Sequence, residues 1–71
     1  MKTFDRRVAA HEAIRDGKTF APAVIELCNH VVTDCRVLTH ELEKTEWLGG
    51  TIYVITDEEG FDRACWNDKI L

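Results

Sequence analysis

Four residues carry the side chains of a zinc site: Cys28, His30, Cys35 and His40, spaced C-x-H-x4-C-x4-H. Thiolate and imidazole are the usual ligands of tetrahedral zinc. A zinc knuckle, however, has a different first spacing and needs glycine-rich turns. On a helix, Cys28 and Cys35 fall on an apolar seam while His30 and His40 point to the polar side, so the four diverge. The expectation is small buried cysteines, with no metal and no cofactor.

Two further fragments begin like catalytic motifs and do not complete them. His40-Glu41-Leu42-Glu43-Lys44 starts as the H-E-x-x-H zinc-hydrolase helix but has Lys44 where the second histidine belongs. His11-Glu12-Ala13-Ile14-Arg15 fails in the same way at Arg15. Cys65 is the best-placed thiol for nucleophilic work, yet the sequence ties no histidine to it. Gly49-Gly50 lacks the length and the lysine of a phosphate loop. The chain therefore reads as a protein that is not an enzyme.

The acidic side chains form the other constellation: Glu41, Glu43, Glu46, Asp57, Glu58, Glu59, Asp62 and Asp68. Nine basic and thirteen acidic residues give a net charge of −4, and the excess is uneven. Residues 1–25 hold five basic and three acidic side chains, while residues 26–71 hold four and ten. Such a balance disfavours contact with nucleic-acid phosphates and suits a partner with a basic surface. With 71 residues, 45% of them hydrophobic, the chain reads as one small globular domain. No apolar run approaches the length of a membrane span, and no signal sequence is evident. Three cysteines, an odd count, point to reduced thiols and a cytoplasmic location.

The elements that would position these residues are read from apolar spacing. Val24, Cys28, Val31, Cys35, Leu38 and Leu42 recur at four- and three-residue intervals, the pattern of a helical seam. This predicts one long amphipathic helix from Pro22 to Trp47, stopped by Gly49 and Gly50. Thr33-Asp34 is its weak point, and a rival reading breaks the helix there and makes Cys35 to Leu42 a strand. Residues 4–16 read as a shorter helix with Phe4, Val8, Ala9, Ala13 and Ile14 as its apolar stripe, capped by Thr3 or Asp5 and closed by Gly17.

Beyond Gly50 the pattern turns extended. Thr51 to Thr56 is β-branched or aromatic throughout, Asp57-Glu58-Glu59-Gly60 forms a turn, and Phe61 to Trp66 returns as a second strand. The fold expected is thus α+β, a two-helix antiparallel hairpin followed by a β-hairpin (ααββ). With Thr56 paired to Phe61, one face of the ribbon carries Tyr53, Ile55, Ala64 and Trp66. Tyr53, Ile55 and Trp66 then form a candidate protein interface, with Asp57, Glu58 and Glu59 at the tip supplying charge. An unpaired strand edge would also invite β-addition.

In size and charge, though in no motif, the chain resembles the small inhibitors that phages and mobile elements direct against host defence, anti-CRISPR proteins among them. That resemblance implies a non-enzymatic binding protein that masks a surface of a larger, nucleic-acid-handling partner. Two other readings stand beside it: a homodimer or structural subunit assembled through the long helix, and DNA binding through Arg6, Arg7, Arg15 and Lys18.

Overall fold

The computed structural model describes residues 4–40 and 42–71, and over these the chain is all β, with no helix. The α+β expectation is overturned. In chain order the strands are β1 (Arg6–Ala10), β2 (Glu12–Arg15), β3 (Lys18–Phe20), β4 (Ala23–Cys28), β5 (Val31–Val37), β6 (Glu46–Trp47), β7 (Thr51–Thr56), β8 (Asp62–Trp66) and β9 (Lys69–Ile70). The cap assigned to Thr3 and the charge assigned to Glu41 lie outside the described residues.

Neither predicted helix forms: the first is the bent strand β1–β2, which turns at Asp16-Gly17 into β3, and the second begins as the β4–β5 hairpin. Asp16-Gly17, Asn29-His30 and Asn67-Asp68 are two-residue links in which both residues have positive φ, between 49° and 77°. That is the signature of the type I′ turn, whose twist matches the strands it joins. Gly17 therefore closes a strand turn, not a helix. The chain reverses at Asn29-His30, four residues before the Thr33-Asp34 break considered from sequence. Thr33 is instead the extra residue of a β-bulge, because Leu27 pairs with Val32 while Glu26 pairs with Asp34.

The strands form two sheets, ordered β5-β4-β1-β6 and β3-β2-β7-β8-β9. They share two long strands that pass from one sheet to the other. One runs through β1, His11 and β2; the other runs beside it in parallel through β6, Gly49-Gly50 and β7. Between the ladder pairs Ala9–Trp47 and Glu12–Thr51, the first strand has two residues and the second three. The surplus residue bends the pair into a corner. His11 pins it: its Nδ1 accepts the Gly50 N–H at 2.9 Å, and its ring meets Trp47 edge-on, centroids 5.1 Å apart.

The sheets enclose one core, formed by Val8, Ala10, Ala13, Ala23, Ile25, Leu27, Val32, Ile52, Val54, Ala64 and Leu71. Along β4 the inward residues Ala23, Ile25 and Leu27 alternate with Val24 and Glu26, yet all five are buried. The connection from β5 to β6 runs along the outer face of this sheet, where Leu38, Leu42, Glu43 and Thr45 share a hollow with Ala9 and Trp47. A strand buried on both faces loses the period-two alternation that would identify it.

Glu26 is the single charged residue buried among those described, 4% exposed. Arg7 donates both Nε and Nη2 to Glu26 Oε2, at 3.1 and 2.9 Å, and Arg36 approaches within 3.5 Å. The Arg7 guanidinium also lies over the Phe4 ring and donates Nη1 to the Glu43 carbonyl at 2.8 Å. One side chain thus neutralises a buried carboxylate and ties down the β5–β6 connection. No helix among the described residues is long and apolar enough to cross a membrane.

Candidate functional site

The outer face of the five-stranded sheet is fixed by its ladder registers. Thr19 pairs with Ile14, Ile14 with Tyr53, Tyr53 with Cys65, and Cys65 with Ile70. These pairs place one residue from every strand in a single row across the sheet. Directly opposed side chains on one face stand about 5 Å apart. Tyr53 and Ile70 are 52% and 53% exposed. The next row adds Ile55, 47% exposed, opposite Arg63, and the row beyond it sets Asp57 level with Phe61. Four of the large exposed apolar side chains, Tyr53, Ile55, Phe61 and Ile70, therefore belong to one face.

Trp66 does not join them. The observed ladder pairs Thr56 with Asp62, one residue away from the expected pairing with Phe61. A slip of one residue sends every side chain of a strand to the opposite face. Ala64 and Trp66 accordingly turn inward, where Trp66 packs against the core and its indole Nε1–H donates to the Gly49 carbonyl at 2.9 Å. Phe61, Arg63 and Cys65 turn outward in their place. Tyr53 and Ile55 share a face as expected, and Trp66 sits behind them.

The tip behaves differently from its sequence reading as well. Asp57 Oδ1 accepts the backbone N–H groups of Glu59 and Phe61, both at 2.9 Å, and Oδ2 accepts Arg63 Nε at 2.9 Å. Arg63, then the Phe61 N–H, hold the Asp57 carboxyl below its ordinary range. Its charge is committed inside the hairpin. Glu58 and Glu59 are exposed and make no ion pair among the described residues. Arg63 reaches further, lying over the Phe61 ring and donating Nη1 to the His30 carbonyl at 3.0 Å. Arg63 and Asp57 on this face thus compensate each other's charge.

Compared with protein-family models, curated proteins and solved structures, the chain matches none of them.

The four candidate ligands lie apart, on strands, a turn and a connection instead of one helix. Cys35 faces the core, Cys28 ends β4 on the outer side, His30 sits in a turn with Nδ1 2.6 Å from the Leu71 carbonyl, and His40 lies on the β5–β6 connection beside Thr39. No group of three such ligands converges among the described residues. Burial pushes the Cys35 thiol up, away from the reactive thiolate. The basic residues Arg6, Arg7, Arg15 and Lys18 lie on strands, with Lys18 exposed on β3. Arg6 is paired with Glu46, Arg7 with Glu26 and Arg15 with Asp62, on strands rather than on one helix face. The seam proposed to drive a helical homodimer does not exist.

Ile14, Phe61, Cys65 and Ile70 were absent from the interface read from sequence. Asp16-Gly17 was the signal for Ile14, since it marks a hairpin that places Ile14 on a strand. The Asn67-Asp68 pair did the same for Ile70.

Proposed function

We propose that the chain is a non-enzymatic protein-binding module that covers, and so modulates or inhibits, a surface of a larger protein. The observation that carries this reading is that Tyr53, Ile55, Phe61 and Ile70 stand exposed on one outer face of a sheet, in rows that also hold the half-buried Ile14 and Cys65. Large apolar patches on a small protein usually mark a contact site, and tyrosine is enriched there. The edge strands of this sheet are short, three residues in β3 and two in β9, which disfavours strand addition to it. Glu58 and Glu59 at the hairpin tip give the encounter its charge preference, for a basic rim on the partner.

The test is affinity capture from the native host with quantitative mass spectrometry, using the wild type, the double variant Tyr53→Ser/Ile55→Ser and the control Lys18→Ser. The reading expects a protein captured by the wild type and the control and lost by the double variant. Equal capture by all three contradicts it.

A further inference from the structure

The hollow on the outer face of the first sheet lies away from the proposed contact face, and its chemistry differs. It has a volume of about 550 Å³ and is lined by Ala9, Leu38, Leu42, Glu43, Thr45 and Trp47. Sites of this size with mostly apolar walls and a few polar groups are typical of small ligands. Four of the six lining residues are apolar. Trp47 leaves 56% of its surface in water although His11 holds its ring edge-on. An indole kept in place beside an open hollow is a surface on which a ligand can stack.

Charge then selects the ligand. The Glu43 backbone carbonyl is taken by Arg7 Nη1 and the Thr45 hydroxyl, whereas its side chain is exposed and has no ion pair among the described residues. Arg7 reaches the backbone of Glu43, and no arginine among the described residues forms an ion pair with its carboxylate. Arg6, Arg7, Arg15, Arg36 and Arg63 are all engaged with other carboxylates. Lys44, its chain neighbour, makes no ion pair with it. An anionic ligand is repelled by Glu43 and by the net charge of −4. A neutral apolar one leaves the carboxylate unused. A cation on an apolar stem satisfies both parts, because its methylenes line the walls while its head meets Glu43 and the indole face.

We infer that this hollow binds an alkylammonium group. Two sources supply that chemistry, a free alkylamine and the lysine side chain of a partner protein. The inference does not depend on the contact face of the second sheet.

Nuclear magnetic resonance of the two indole N–H signals provides the test. Trp66, bonded to Gly49, serves as the internal reference for Trp47. Pentylammonium, 1-pentanol and Nα-acetyl-lysine amide are each titrated into the intact protein. The expected result is a saturable shift confined to Trp47, with pentylammonium bound about two- to five-fold more tightly than pentanol. Glu43→Gln removes that preference, and Trp47→Leu removes the binding. Tighter binding of the lysine amide than of pentylammonium assigns the site to a protein lysine, and the reverse order assigns it to a free amine. Equal affinity for pentanol and pentylammonium, or no saturable shift up to roughly 10 mM, overturns the inference. Glu43→Gln keeps the test decisive should Trp47→Leu not fold, since Glu43 is exposed.

Discussion

Tyr53 stands directly opposite Cys65 in the β7–β8 ladder, and that pairing decides which side of the hairpin meets solvent. It places Tyr53 and Ile55 outward with Phe61 and Cys65, and sends Trp66 inward against the core.

The two aromatic residues should therefore respond differently to truncation. Trp66→Ala removes packing against the core and the bond to Gly49, and is expected to cost about 2 to 3 kcal/mol. Tyr53→Ala removes a half-exposed ring and should cost less than about 1 kcal/mol. Urea denaturation of the two variants checks the difference; the opposite ranking would require the register expected from sequence.

Arg7 and Glu26 form the buried ion pair of the first sheet. Arg7→Met strands the Glu26 carboxylate with only the more distant Arg36, and should destabilise by about 3 kcal/mol. Arg7→Met/Glu26→Leu should recover most of that loss, because neither charge then remains buried. A double variant as unstable as the sum of its single variants would show that the pair is not coupled.

The two-residue turns make a prediction of opposite signs. Gly17 has φ of +77°, with nothing within 4 Å of where a Cβ would stand, so Gly17→Ala tests backbone conformation alone. It should cost about 1 kcal/mol. Asp68, at φ of 62°, adopts the same left-handed region with a side chain, and Asp68→Gly should stabilise by up to about 1 kcal/mol. Thermal unfolding of both variants reads the pair.

Acid should weaken the fold through two surface carboxylates. Arg6 holds Glu46 below its ordinary value of 4.5, and Arg63 with the Phe61 N–H holds Asp57 below 3.8. Both are depressed on folding, so the unfolded chain takes up protons first as pH falls. Their contribution is complete above the ordinary carboxylate range and is lost as pH drops through it. The urea midpoint should be flat above about pH 5 and fall below it, with a shallower fall in Asp57→Asn.

The C-terminal part was the more legible. Thr51 to Thr56 is a strand with the bounds read from its β-branched and aromatic run, and Asp57 to Gly60 is its turn. What composition did not carry was the pairing at the turn. Asp57 binds the Phe61 N–H and pairs with Phe61, which moves the ladder by one residue and exchanges the faces. The apolar spacing of the N-terminal part is ambiguous because β4 is buried on both sides. Val24 and Cys28 fell into helical spacing with Val31 and Cys35, residues that in fact lie across a turn on the next strand. Asp16-Gly17 and Asn29-His30 held the corrective signal, and the Asp-Gly pair in particular specifies a hairpin.

The most direct test of the contact face is photocrosslinking in the native host. A photoreactive amino acid is placed in turn at Tyr53, Ile55 and Ile70, and at the outlying exposed sites Lys18 and Thr33. The first three positions should give adducts with one common protein and the last two should not. Adducts at Lys18 and Thr33 with none at Tyr53, Ile55 and Ile70 would contradict it.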